Sequence, residues 1–237
     1  MIKNSFRWIL YLFCFVTGLS AQETKKLLEL LTIEEPKLVG STYINISTLH
    51  EGDPFVFDEW YPGIIYLNRG DRVKVPMLNY DANIDEFVYI HPVTGKWIKL
   101  DKFFIKQIDI LQPDNKTLHF INMSVKDSVR LTGNYYEELY RGPHGLYRKY
   151  NCQLESNSSK QEGNRYVSFS FKHSEEYVLV QSKNSLKINL KPSTLYDLFP
   201  EQKRILKAYI RGNNLQVKFW EDFVGVLKYV DENPAEF

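Results

Sequence analysis

The sequence predicts a mainly β protein with C-terminal helices, in which an antiparallel β-sandwich or barrel is followed by a packed helical pair. Segments in which apolar and polar residues alternate recur from about Lys37 onwards, as expected for half-buried strands. Turn-forming clusters separate these segments at spacings of roughly ten residues, which favours antiparallel strands over units that alternate strands and helices. From Ser193 the apolar spacing becomes helical. We therefore expect a β-domain over 37–192 and a helical segment over 193–237.

Residues 1–21 have the pattern of a cleavable signal peptide. Lys3 and Arg7 provide positive charge around the start of the apolar run Trp8–Val16, and Ala21 is a small residue at the expected cleavage position. The apolar run has nine residues, whereas a membrane-spanning helix needs about 20. We expect processing after Ala21 and no transmembrane span in the mature chain. The protein should then be exported to the periplasm or associate with the outer membrane, or be extracellular if it is secreted further.

Residues 22–36 are expected to form a helical or mobile leader that ends at Pro36. Removal of Lys3 and Arg7 with the signal peptide lowers the 30 basic residues to 28, against 29 acidic ones, so the mature chain has a formal charge of −1. Nucleic-acid binding depends on a strong positive field, so we expect no nucleic-acid partner. Processing also leaves Cys152 as a single thiol, which cannot form an internal disulfide.

The β-domain divides into short strands separated by turns. Asn68-Arg69-Gly70-Asp71 is a strong turn cluster between two of these strands. Pro76 cannot donate a hydrogen bond to a neighbouring strand, so we expect its strand at an edge of the sheet or ending near this residue. The predicted strands cover 38–44, 63–67, 73–77, 87–90, 96–100, 104–110, 117–123, 135–140, 146–150, 165–172, 177–181 and 186–190.

The C-terminal segment contains apolar stripes on both sides of a break at Gly212-Asn213-Asn214. Ser193-Thr194 followed by Asp197 resembles a helix start. Amphipathic helices normally pack on their own domain, so we expect the helices to lie on the β-domain; the alternative is that they dock a partner. The residues expected to be buried are Leu206, Ile210, Phe219, Phe223 and Leu227.

Several short segments resemble a family of uncharacterised exported proteins of Bacteroidetes. The resemblance covers most of the mature chain and rests on 40–45, 62–67, 75–81, 85–87, 138–142, 146–150 and the closing helices around 209–210 and 223–229. Asp53–Tyr61 departs from the family, since this insert is longer and more aromatic. The resemblance implies a location in a Gram-negative cell envelope. It implies no catalytic residue, because none of the matching motifs is catalytic.

No local motif predicts a metal or a cofactor. The histidines do not have the i, i+2 or i, i+4 spacing of a local metal pair; they are His50, His91, His119, His144 and His173. The acidic residues Asp81, Asp85 and Glu86 follow a strand but are not accompanied by the glycine of a calcium loop, so a polar turn explains them. Cys152 as a nucleophile would need a histidine that spacing does not locate, and we expect it to be packed and inert. The pairs Glu137-Glu138 and Glu175-Glu176 are candidates for acid and base whose separation the sequence does not give.

Aromatic residues beside carboxylates form the candidate binding set, as in many carbohydrate and peptide sites. The set comprises Asp58, Trp60, Tyr61, Trp97, Tyr135 and Tyr136. The alternative is that these rings fill the core of the β-domain.

We expect a non-enzymatic exported envelope protein that binds another protein or a cell-surface component. One alternative is a β-barrel carrier of a small apolar ligand, which would need a large internal cavity lined by Phe and Tyr. A second is a hydrolase with a dispersed site, which would need a cleft with convergent carboxylates or a buried histidine. A filled core with an exposed aromatic patch would favour the binding protein.

Overall fold

The computed structural model of the protein describes residues 38–45, 50–123, 134–161, 164–181 and 184–233. These residues belong to one unit, which begins at Leu38. The signal peptide predicted for 1–21 and the leader predicted for 22–36 lie outside the described residues.

Strands and helices follow the predicted order along the described ranges, except that the predicted strands 165–172 and 177–181 are parts of one continuous strand. The strands are β1 (Gly40–Thr42), β2 (Tyr61–Leu67), β3 (Arg72–Asp81), β4 (Glu86–Ile90), β5 (Trp97–Leu100), β6 (Ile105–Leu111), β7 (Thr117–Asn122), β8 (Tyr135–Tyr140), β9 (His144–Gln161), β10 (Asn164–Gln181) and β11 (Asn184–Ile188). The helices are α1 (Pro192–Leu198), α2 (Lys203–Gly212) and α3 (Trp220–Glu232). The predicted mainly β fold with C-terminal helices is therefore confirmed.

All of these strands belong to one open sheet with the order β1-β5-β4-β3-β2-β6-β7-β8-β9-β10-β11. Neighbouring strands are antiparallel throughout. β9 and β10 have 18 residues each and pair along their whole length, which makes them much longer than the other strands. The sheet thus consists of two meanders, β2–β5 and β6–β11, which are joined by the pairing of β2 with β6, and β1 lies beside β5.

A segment before β2 joins two distant parts of this sheet. Glu51 bridges Ser170 in β10, and Phe55 bridges Asp81 in β3. The amide of Cys152 in β9 also donates to a carbonyl just after β3, that of Ala82, over 3.3 Å. β3 and β9 are five positions apart in the strand order, so these contacts require the sheet to bend until its two halves meet.

The larger hydrophobic core, which we call the first core, lies inside this bend and has aromatic rings at its centre. Its central rings contact one another with centroid separations of 4.8–6.4 Å, mostly edge to face, and belong to Tyr80, Phe87, Phe120, Tyr135 and Tyr150. Aliphatic side chains of β2, β3 and β6 pack around them, among them Ile65, Leu78, Ile108 and Ile110. Much of the high Tyr and Phe content of the sequence is accounted for by this core.

The three helices pack on β9–β11, the last strands in the sheet order, and form a second core with them. Leu146, Leu179 and Ile188 of β9–β11 pack there against apolar residues of all three helices. Leu206, Phe223 and Leu227 are fully buried, as predicted. The sequence predicted a pair of helices, and the short α1 ahead of Pro200 is the additional one. None of the helices within the described ranges is long and apolar enough to cross a membrane.

Phe219 was predicted to be buried and is instead 51% exposed. It is the N-cap residue of α3 and has extended backbone angles. Its side chain therefore does not follow the helical stripe that continues through Phe223 and Leu227. Val217, two residues earlier, is buried in the second core in its place.

Pro76 was expected at an edge of the sheet or near the end of its strand. β3 lies between β4 and β2, but its pairing with β4 begins only at Leu78, so at Pro76 the only neighbouring strand among those described is β2. The register between β2 and β3 shifts from Tyr61 opposite Leu78 to Gly63 opposite Val75. Pro76 falls within this irregularity, where one strand carries an extra residue and a backbone donor is not needed. A β-bulge is the position at which a central strand tolerates proline.

Candidate binding site

The site is built on the loop that precedes β2, and a buried asparagine in β3 holds this loop in place. Asn79 is 1% exposed. Its amide nitrogen donates to the carbonyl oxygens of Phe57 and Glu59 over 2.7 and 3.3 Å, and its carbonyl oxygen accepts from the amide of Phe57 over 3.3 Å. Because a buried polar side chain needs such partners, this asparagine fixes the course of the loop. The loop then presents Asp58 and Glu59 to solvent and leaves Trp60 partly exposed.

Four rings from separate segments meet beside this loop, and we call them the aromatic patch: Tyr43, Phe55, Trp60 and Trp97. The ring centroids of Trp60 and Trp97 are 4.9 Å apart at an interplanar angle of 63°. Phe55 is buried beneath them, 5.2 Å from Trp60 and 5.9 Å from Trp97. Tyr43 follows β1 and stacks on Trp97 at 6.0 Å. Three of the four rings stay partly exposed, so the patch is a packed surface with solvent access.

Two carboxylates belong to the surroundings of the aromatic patch: one contacts Tyr43, and the other lies in the loop that carries Trp60. Asp81 accepts a hydrogen bond from the Tyr43 hydroxyl over 2.7 Å, and from the amides of Asn83 and Ile84 over 2.9 and 3.2 Å. Burial raises the pKa of Asp81 above its usual value. Burial, followed by the contact with Asp81, raises the pKa of Tyr43 well above its usual range, so this hydroxyl remains a donor. Asp58 adds a carboxylate in the neighbouring loop that is exposed to solvent.

The structure brings together part of the predicted binding set. Asp58, Trp60 and Trp97 lie at the aromatic patch or in its loop. Tyr61 is adjacent in sequence, but its ring contacts Phe57 at 5.9 Å and packs against the first core.

The two tyrosines of β8 lie elsewhere, on opposite faces of the sheet. Tyr135 is 1% exposed and contacts Phe87 at 4.8 Å inside the first core. Tyr136 is also buried and packs with Ile121 and Val178 in a separate cluster. These rings have the structural role that the alternative interpretation gave them. Tyr43 was not among the predicted residues, because only the pairing of β1 with β5 brings it to Trp97.

Cys152 lies near a histidine but does not have the properties of a nucleophile. Its sulfur is 3.6 Å from Nε2 of His173, and the same nitrogen is 2.7 Å from the carbonyl oxygen of Asp53. A nitrogen that donates to this carbonyl cannot also accept the thiol proton. Burial raises the pKa of Cys152 to about 11, so the thiolate is scarce near neutral pH.

The candidate acid and base pairs are joined by one arginine. Nε and Nη2 of Arg148 donate to Glu137 over 2.9 and 2.7 Å, and Nη1 donates to Glu175 over 3.2 Å. The hydroxyl of Tyr150 donates to the same oxygen of Glu137 over 2.6 Å. The guanidinium also lies over the ring of Trp220 in α3. This ion cluster therefore connects the sheet to the helices, and its carboxylates are engaged in structural contacts.

One histidine lies in a depression of the surface, as an enzyme would require. His144 contacts Asp231 through Nδ1, and Asp231 also accepts from the hydroxyl of Tyr140 over 2.9 Å. The depression has a volume of about 370 Å³ and is lined by Gly142, Pro143, His144, Gly145, Tyr147, Val180 and Gln181. None of these lining residues is a Ser, Thr or Cys that the histidine could activate. The contacts of Asp231 instead fasten the end of α3 to the turn between β8 and β9.

Comparison with known proteins adds no relative: no family model, no curated protein and no solved structure matches this chain.

Proposed function

We propose that this chain is a non-enzymatic exported protein that binds a protein partner in the bacterial cell envelope through the aromatic patch. The observation that carries the proposal is the packing of Trp60 against Trp97, with both rings partly exposed. Trp60 lies in the loop whose course is fixed by the buried Asn79. A partner does not have to order this surface on binding, which lowers the entropic cost of association. The export part of the proposal rests on the N-terminal sequence and on the resemblance to exported proteins of Bacteroidetes.

The chemistry of the aromatic patch fits a basic side chain of the partner. A Lys or Arg side chain over the face of a tryptophan is attracted by the ring quadrupole. Asp58 and Glu59 are exposed in the same loop and add opposite charge. Tryptophan is also among the residues that most often dominate the affinity of protein interfaces. These properties favour an extended or protruding segment of a protein that carries at least one cation.

The packing of the first core argues against the alternative of a carrier. A ligand cavity for a small molecule usually has a volume of about 300–1,000 Å³. The inside of the bent sheet is instead occupied by rings in contact, such as Phe87 and Tyr135 at 4.8 Å. The depression beside His144 is open to the surface and is not lined by phenylalanine.

The state of the reactive groups argues against the alternative of a hydrolase. Cys152 has a raised pKa, Glu137 and Glu175 are engaged by Arg148, and the residues that line the depression beside His144 include no Ser, Thr or Cys. A hydrolase needs a nucleophile or an activated water next to a base. These residues are held in structural contacts, which supports a binding function.

The experiment is affinity purification of the tagged, mature protein from its native envelope, in three forms. The wild type is compared with Trp60→Ala and with Phe103→Ala, a matched control whose ring is exposed far from Trp60 in sequence. A partner that wild type and Phe103→Ala retain and Trp60→Ala loses supports the proposal. With the purified partner, loss of a central tryptophan should weaken binding by about 30-fold or more, the effect of a contact worth at least about 2 kcal/mol. A partner that binds Trp60→Ala as tightly as the wild type would show that the aromatic patch is not the binding surface.

A further inference from the structure

Helix α2 presents a face of basic residues in a protein whose total charge is nearly balanced. Its sequence, Lys203–Gly212, contains four cationic residues and no acidic one. These residues are Lys203, Arg204, Lys207 and Arg211, and all four are exposed. The full chain has 30 basic and 29 acidic residues. A local excess of four positive charges on one helix is therefore a distinct feature of this surface.

The opposite side of α2 is already engaged in the second core. Leu206 is fully buried there, and Tyr209 and Ile210 pack against the same core. Because the apolar side of the helix is used for folding, the basic side is the one that remains for another molecule. The basic residues are also not needed for ion pairs within the protein. Among the residues that the structure describes, none of the four lies within ion-pair distance of a carboxylate.

The basic face borders a shallow depression that is open to solvent and is formed by α2 and the turn before it. The depression has a volume of about 590 Å³ and is lined by Pro200, Glu201, Lys203, Arg204, Lys207, Ala208 and Arg211. Glu201 is its one acidic lining residue, so the lining has a net charge of +3. The ring of Tyr196 lies beneath two of the cations, with the Nζ atoms of Lys203 and Lys207 at 5.9 and 5.5 Å from its centroid. This ring supports the lysine side chains on one side of the depression.

We infer that this depression is a binding site for phosphate groups, carried by a small polyphosphorylated molecule or by an anionic lipid headgroup. Arginine guanidinium groups bind phosphate oxygens through paired hydrogen bonds, and lysine ammonium groups add point charges. Two residues of each kind lie together on this exposed face of α2, which suits a ligand with two or more phosphate groups. The site is separate from the aromatic patch in sequence and in chemistry, so the inference does not rest on the proposed function.

The test uses two probes, so that the two sources of phosphate are distinguished. Inorganic tripolyphosphate is titrated into the mature protein by isothermal calorimetry at about 50 mM salt, where screening is weak. In parallel, sedimentation measures binding to vesicles of phosphatidylglycerol and phosphatidylcholine, with pure phosphatidylcholine as the neutral reference. Binding of tripolyphosphate alone identifies soluble phosphate compounds as the ligand class. Binding to the anionic vesicles alone identifies lipid headgroups, and either result supports the site if the variants below respond.

Two pairs of substitutions assign the binding to this depression. Arg204→Gln/Lys207→Gln should weaken binding by at least about ten-fold, since it removes two charge-assisted contacts. Lys74→Gln/Lys106→Gln is the control, because it removes the same charge from exposed positions of β3 and β6 and should bind as the wild type does. Thermal melts check that each variant is folded, and Lys203→Gln/Arg211→Gln is a second pair if the first is unstable. Failure of the wild type to bind either probe, or equal losses in the test and control pairs, would overturn the inference.

Discussion

Phe223 lies in the first turn of α3, and its side chain is fully buried in the second core. Phe223→Ala removes the ring and leaves a cavity between the helices and the sheet. Truncation of a buried phenylalanine typically costs about 3–5 kcal/mol of unfolding free energy. In a domain of about 200 residues each kcal/mol corresponds to about 2–4 °C, so the melting temperature should fall by about 6–20 °C.

The matched control is Phe219→Ala, four residues earlier in the same helix region. Phe219 is 51% exposed, so its truncation should change the unfolding free energy by no more than about 0.5 kcal/mol. Both variants are compared with the wild type by circular dichroism during heating and by urea titration. Equal melting temperatures for Phe223→Ala and the wild type would refute the assignment of this side chain to the core. A large loss in Phe219→Ala would refute the description of α3 as starting after that residue.

Two further predictions concern titratable groups. In the folded protein, Cys152 should react only slowly with iodoacetamide at neutral pH, and the reaction rate should rise as the pH approaches its pKa of about 11. In the urea-unfolded protein, the same thiol should react at the rate of an ordinary cysteine. Fast reaction of the folded protein near pH 7 would contradict the burial of the thiol. Asp81 has a pKa raised by burial above the ordinary 3.8, so the folded state holds this proton more tightly than the unfolded state does, and stability is lost as the pH rises through the raised value. Urea titrations from pH 3 upwards should therefore show that the unfolding free energy of Asp81→Asn increases relative to that of the wild type as the pH rises. A difference in unfolding free energy that does not change with pH would contradict the raised pKa.

Local pattern was sufficient to predict most of the strands and the two longer helices, although it divided β10 into two strands, 165–172 and 177–181. The alternation of Val73 and Val75 with exposed neighbours and the helical stripe through Phe223 and Leu227 each reflect one face of one element, and the structure contains both elements. Pro76 shows the limit of this reasoning. Proline excludes regular pairing on both sides of a strand. β3 satisfies this constraint through a bulge towards β2 and through the lack of a β4 partner at this residue, and only the register of the three strands shows both.

The candidate site was predictable only in the part that is local in sequence. Asp58 and Trp60 lie in one loop, and their composition indicated a binding surface. Tyr135 has the same composition signal, yet β8 directs its ring into the first core. Tyr43 reaches Trp97 only because β1 is the neighbour of β5. Which aromatic residues form a surface and which fill the core thus depends on strand order, which residue spacing along the chain does not contain.

The bend of the sheet has a consequence for the order in which the chain folds. The contact between Asp53 and His173 joins residues 120 positions apart, and Glu51 bridges Ser170 over a similar separation. Contacts at such separation form late, because a long loop must close before they contribute any free energy. The start of the loop that carries Trp60, at Glu51 and Asp53, therefore reaches its final position only after β10 has been synthesised. Asn79 can fix Phe57 and Glu59 before that point. A chain that stops before β10 would keep the contacts of Asn79 with this loop but would lack the two contacts that anchor the start of the loop to the end of the sheet.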